Sequence, residues 1–243
     1  KGETLRNYTV IVEEGINRFY WELCRKNIHL PGKYRGYFNS ETPGVPVSPG
    51  LYHVEIAYAG NKASAEIQVL PDPRIEKNFD YSCFESFYQR WKLALYTTSA
   101  ALDRLEEAKH SISNVEMRLV GHDDKESKAL MEQTKQIEEK LAGYIKRVKL
   151  PPFQGVIRES GVINDRLAET IRYFNSPYVE IHKNHELVMK HLEAEVKRLV
   201  TDVNIFFNAD WQSYKKEVTA ASIRFLNDYQ PIIIDTTADE EDE

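Results

Sequence analysis

Between about Asp80 and Asp228 the chain places an apolar or small side chain every three to four residues, almost without interruption. That period matches one face of an α-helix, and such a stripe is stable in water only when other helices hide it. In the first helix it runs through Phe84, Phe87, Trp91, Ala94, Thr98, Leu102, Leu105, Ile112 and Val115, and lapses only at Lys109. Gly121-His122-Asp123-Asp124 ends that helix and caps the next. The second stripe is Leu130, Thr134, Ile137, Leu141, Tyr144 and Val148, closed by Pro151-Pro152. A loop to about Gln154 leads to a third with Ile163, Leu167, Thr170, Ile171 and Phe174. Asn175-Ser176-Pro177 then offers an N-cap with proline at the first helical position. The fourth stripe takes Ile181, His185, Val188, Leu192, Val196, Leu199, Val203 and Phe206. It continues, kinked near Asn208-Ala209-Asp210, through Tyr214, Val218, Ala221 and Phe225. Four striped helices with short connections predict an elongated antiparallel four-helix bundle over residues 80–230.

The first 72 residues carry a different chemistry. Tyr8-Thr9-Val10-Ile11-Val12 is aromatic and β-branched, and Arg18 to Leu23 alternates so that Phe19, Trp21 and Leu23 share a face. Leu51 to Tyr58 alternates again. Ala59-Gly60-Asn61-Lys62 has hairpin-turn composition, and Ala63 to Val69 returns antiparallel. These strands predict a small Ig-like β-sandwich over residues 1–72, incomplete at its N-terminus because too few strands are present. Pro71-Asp72-Pro73-Arg74 opens a stiff linker over 73–79, since prolines so close together can neither extend a ladder nor enter a helix. Residues 231–243 form an acidic tail, with six acids and no base from Asp235 onward.

Charge and composition narrow the function classes. The net charge is −6, and residues 1–74 hold nine Lys/Arg against eight Asp/Glu, which leaves −7 for the rest. No basic footprint for nucleic acid is present. No apolar run reaches the ~18 residues of a membrane span. With no signal peptide and no Met at Lys1, the chain is expected to be a mature product or an excised fragment. The two cysteines, Cys24 and Cys83, read as buried free thiols or as one bridge between the two modules.

Candidate chemistry is thin. His182, His185 and His191 cluster with Glu180, Glu186 and Glu193, and His182/His185 has the spacing of a metal pair on one helical face. His191 falls two residues late for a zinc-protease helix, and packed histidines account for the cluster without a metal. Glu106-Glu107 and Glu138-Glu139 sit beside Lys109 and Lys135, where helical ion pairing accounts for them without a glycosidase cleft. Cys83 beside Phe84 reads as a core residue rather than a nucleophile. No phosphate loop, nucleophile elbow or GxGxxG occurs, so no catalytic residue, metal or cofactor is assigned. Tyr34, Tyr37 and Phe38, in a loop with Arg35 and Asn39, could stack on sugar rings as a glycan-binding site. They could equally close the sandwich end. The helical stripes could also support a homodimer, although the differing breaks favour closure within one chain.

Two stretches resemble a known family. Gly15-Ile16-Asn17-Arg18-Phe19-Tyr20-Trp21-Glu22-Leu23, Leu30-Pro31-Gly32, Val47-Ser48-Pro49-Gly50-Leu51-Tyr52 and Asp72-Pro73-Arg74 are similar to the flagellar-hook-cap-type Ig-like module of bacterial secreted proteins. Those proteins begin with a sortilin-like or BNR-repeat β-propeller, often labelled glycosyl-hydrolase-like. Gly161-Val162-Ile163-Asn164-Asp165-Arg166-Leu167 is similar to a helix that follows in the same proteins, and Asn204 or Asn227 resembles a later asparagine of theirs. The resemblance implies a secreted, periplasmic or cell-surface protein with its propeller upstream of this chain. Any sugar chemistry would lie on the propeller. This chain would be a non-catalytic structural or interaction region that supports or docks it, or alternatively a carbohydrate-binding module.

Overall fold

The computed structural model describes residues 2–26, 28–32, 43–75, 79–151, 161–174 and 180–221. Among these residues four strands are formed: β1 (Cys24–Lys26), β2 (Pro43–Pro46), β3 (Gly50–Tyr58) and β4 (Asn61–Val69). Five α-helices follow: α1 (Tyr81–Leu119), α2 (Lys125–Val148), α3 (Ile163–Ile171), α4 (Lys183–Asn208) and α5 (Asp210–Ala220). A 3-10 turn at Arg172–Phe174 extends α3.

The expected fold class is overturned on both counts. In place of an Ig-like sandwich there are two separate two-stranded antiparallel sheets, β1 with β2 and β3 with β4. The runs 8–12 and 18–23 are not strands. Tyr8 Oη donates to Glu22 Oε2 between them at 3.1 Å, and the turn that joins them is closed by the Glu13 N–H on Asn17 Oδ1 at 3.0 Å. A sandwich requires two sheets whose apolar faces cover one another. Here Ile11 is 96% and Ile16 93% exposed, so strand-like composition alone has not brought a second layer into contact.

The four-helix bundle is likewise replaced, by three columns. Asp80 caps α1 by accepting the N–H groups of Ser82 and Cys83, and Asp124 caps α2 by accepting that of Ser127. Between them Gly121, at φ +88°, turns the chain through a conformation that a β-carbon disfavours. The break after α2 does not reverse direction. Lys149 pairs with Glu106 of α1, Leu167 O accepts from Trp91 Nε1, and the Phe174 ring meets those of Phe84, Phe87 and Tyr88. The partners on α1 descend steadily, so α2 and α3 form one interrupted column antiparallel to α1. The third column, α4 and α5, runs back up: Glu195 pairs with Arg166, Asp202 with Arg147 and Asp210 with Lys140, while Tyr214 reaches Thr134. The kink expected near residue 209 is present, with Ala209 at φ −113°, ψ −78° between α4 and α5. The cap expected at Ser176-Pro177 lies outside the described residues. Helix α4 starts at Lys183 instead, so Ile181 is not helical and the buried face begins at Met189.

Helix α1 has 39 residues, about 58 Å at 1.5 Å each, and packs against α2, α3 and α4. Its buried face is therefore wider than a single seam. Tyr88, Leu95, Ala101 and Ala108 join the expected residues, and Ala108 fills the level where the three-four pattern lapsed at Lys109. Buried threonines inside this core satisfy themselves locally. Thr98 and Thr134 donate to the carbonyls of Ala94 and Leu130, each four residues back. The centre of the lower half is aromatic, with Phe174 fully buried among Phe84, Phe87, Tyr88 and Trp91 at centroid distances of 5.4 to 6.1 Å.

Trp91 is 1% exposed and hydrogen-bonded across columns, so Trp91→Ala should cost about 3–5 kcal/mol in urea unfolding. A midpoint unchanged by the substitution would show that this ring is not central to the core.

Candidate functional site

The described residues offer two places where function could reside: the joint between the β region and the helices, and the face of the β3–β4 hairpin. The joint centres on Arg25 of β1. Its side chain is 10% exposed, and its guanidinium donates to Glu85 of α1 twice, Nη1 to Oε1 at 3.0 Å and Nη2 to Oε2 at 2.5 Å. The same group lies 4.4 Å from the centre of the Tyr88 ring. Gln89 Nε2 also donates to the Glu85 carboxylate, at 2.7 Å. Burial alone would raise the pKa of Glu85, but the hydrogen bonds from Arg25 and Gln89 and the charge of Arg25 outweigh it and hold the carboxyl below its usual range.

A second fastening lies further along α1. Asn164, at the start of α3, donates its side-chain N–H to Pro31 O at 2.7 Å and is 93% buried, its exposure being 7%. Gly32 follows at φ +64°, where a β-carbon would stand 2.6 Å from Lys149 Cδ and 3.0 Å from Leu102 Cδ2. Glycine adopts that conformation without strain and leaves the space that the two side chains occupy. The Leu30-Pro31-Gly32 and Gly161-to-Leu167 stretches, far apart in sequence, therefore touch.

The β3–β4 hairpin closes through Ala59-Gly60, both at positive φ (+48° and +81°), as the tight two-residue turn requires. Register places Tyr52 opposite Ile67, Val54 opposite Ala65 and Ile56 opposite Ala63, all on one face with Tyr58. The other face carries His53, Glu55, Lys62 and Glu66, with Lys62 Nζ 3.0 Å from Glu55 Oε1. Among the described residues the apolar face is anchored at its base, where Trp21 meets Tyr52 edge-on at 5.5 Å and Tyr52 Oη donates to Ser48 O at 2.6 Å. Toward the tip Ile56 is 55% and Tyr58 65% exposed. Apolar faces left in solvent mark interaction surfaces when the patch is large and contiguous.

Among the described residues His182 and His185 stack with ring centroids 5.7 Å apart, but no third metal ligand joins them. His182 is the N-cap residue of α4, His185 lies half-buried one turn on, and His191 is exposed. Glu186 and Glu193 are both held by Arg90 of α1, at 2.8 and 2.7 Å. Among the described residues no group of three or more His, Cys, Asp or Glu could hold a metal ion. Cys24 and Cys83 are free, and burial raises both thiols, which disfavours the thiolate a nucleophile needs. Tyr34, Tyr37 and Phe38 lie outside the described residues. The joint escaped sequence reasoning because its parts sit 60 and 133 residues apart, in segments whose local patterns are unrelated.

Comparison with family models, with curated proteins and with solved structures finds no match. Among the described residues no helix is long and apolar enough to cross a membrane.

The Glu85 assignment has a pH signature. A carboxyl depressed on folding contributes stability that is complete above its unfolded value, roughly 4.3, and is lost as pH falls through the lower folded value. In urea unfolding the stability gap between the wild type and Glu85→Gln should therefore be widest near neutrality and shrink as pH drops below about 4. A gap independent of pH would mean that Arg25 does not hold Glu85 ionised.

Proposed function

We propose that this chain is a non-catalytic support and docking region for the β-propeller of a secreted bacterial protein, with the apolar face of the β3–β4 hairpin as its contact surface. The observation that carries the reading is the asymmetry between the two halves. The helical columns enclose their apolar stripes, whereas the hairpin leaves Ile56, Tyr58 and Ile67 exposed on one uncharged face. The Arg25–Glu85 pair and the Asn164–Pro31 bond fasten the β region to a scaffold about 58 Å long, which suits a part that holds another domain in a fixed place. The motif resemblance described above supplies the identity of that domain and the secreted or cell-surface location.

The test uses the propeller encoded in the parent reading frame, produced separately and titrated calorimetrically against this chain. Ile56→Lys should weaken association roughly tenfold or more, as expected for a charge placed at the centre of an apolar contact. Leu93→Lys, on an exposed stretch of α1, should leave it unchanged. Absence of binding, an Ile56→Lys variant that binds normally, or a parent frame without propeller repeats would each overturn the reading.

A further inference from the structure

Helix α4 sorts its charges by direction. Its four acids, Glu186, Glu193, Glu195 and Asp202, all turn sideways to the neighbouring columns. Arg90 of α1 holds Glu186 and Glu193 at 2.8 and 2.7 Å, Arg166 of α3 holds Glu195 at 2.6 Å, and Arg147 of α2 holds Asp202 at 2.7 Å. Its own lysines and arginine take no part in these pairs. Lys183, Lys190 and Lys197 recur every seven residues, Arg198 adjoins the last, and all four are exposed, away from the buried Met189, Leu192, Val196 and Leu199. None of the four forms an ion pair among the described residues, and Lys190 acts on Glu193 only through space. The solvent face of α4 is therefore cationic from Lys183 to Arg198, with Ile205 exposed beyond it toward the head of the column.

We propose that this face of α4 is the docking site of the chain's own acidic segment, residues 235–243. That segment, which lies outside the described residues, holds six acids and no base, and Ile232, Ile233 and Ile234 precede it. Descending α4 from its head, the face presents first Ile205, then Arg198 and Lys197, then Lys190. A segment laid antiparallel to the helix brings isoleucine first and carboxylates after, in the same order. The spacing agrees as well: Ile205 and Lys190 stand about 22 Å apart at 1.5 Å per residue, and an extended chain covers about the same from Ile233 to Glu240.

Chain length permits the contact. From Ala221, where the described residues stop, back to Ile205 is about 24 Å along the column, and the ten residues 222–231 span up to about 33 Å when extended. A single exposed ion pair contributes little to stability. Six carboxylates facing four cations that have no other partner act together, and salt screens them together. This face is separate from the β3–β4 hairpin, so the contact stands or falls independently of the partner proposed for the hairpin.

The experiment is carbodiimide coupling of the whole chain, which joins a carboxylate to a lysine amine in direct contact, with the joined peptides identified by mass spectrometry. At about 20 mM salt the carboxylates of residues 235–243 should couple to Lys190 and Lys197 within monomeric protein, and at about 500 mM the yield should fall roughly fivefold or more. Arg198→Gln combined with Ile205→Asp removes neither amine and should lower the low-salt yield by a similar factor. Far-ultraviolet circular dichroism of that variant checks that the helices remain formed. Three results would overturn the proposal: no coupling at Lys190 and Lys197, equal coupling at the exposed Lys62 and Lys125, or a yield unmoved in the double variant. A coupled product that is dimeric at low protein concentration would overturn it too, by making a second copy the source of the acids.

Discussion

Everything in this structure is organised by the width of the apolar face on α1. A helix that meets one neighbour needs a narrow seam, whereas one that meets two along its whole length needs nearly half its circumference. Phe84, Phe87, Trp91 and Leu95 supply that breadth in the lower half, and Leu102, Leu105, Ala108 and Ile112 supply it above. The interrupted α2–α3 column and the bent α4–α5 column can differ in length and break point because α1 spans both breaks. Phe174 at the foot of the second column and Tyr214 near the head of the third occupy the two ends of the same continuous core.

The β region depends on that core rather than on one of its own. Of its described apolar side chains, Val45, Val47 and Val69 are buried together with Pro31, and Val45 belongs to the helical cluster. Its position is set by polar contacts of high specificity: a two-pronged ion pair at Arg25 and Glu85, and the amide of Asn164 on Pro31 O. Such contacts are directional and register-dependent, whereas apolar burial alone is neither. The arrangement orients the hairpin without covering it, and this is why its apolar face stays available.

Much of the helical half was legible along the chain. The cap at Asp124, the turn at Gly121 and the bend at residue 209 each follow from a few neighbouring residues. The stripe of α2 was legible for the same reason, with Leu130, Thr134, Ile137, Leu141 and Val148 all buried. The fold class was not. Pro151-Pro152 announces a break but carries no information on whether the next helix turns back or continues, and here it continues. Nor does strand composition at Tyr8–Val12 or Phe19–Leu23 secure a strand, because a ladder needs a partner that local sequence does not name. The candidate site was legible in pieces: hairpin, motifs and histidines were visible, their meeting points were not.

The sequence by itself determined where α1 gives way to α2, which residues line the α2 stripe, and where the hairpin turns. These are governed by interactions within a few residues, namely capping, periodicity and turn conformation. Only the tertiary structure decided that the helices make three columns instead of four, that the strands make two ribbons instead of a sandwich, and that Asn164 reaches Pro31. Those outcomes depend on which distant surfaces exclude water together, and no local pattern encodes that choice.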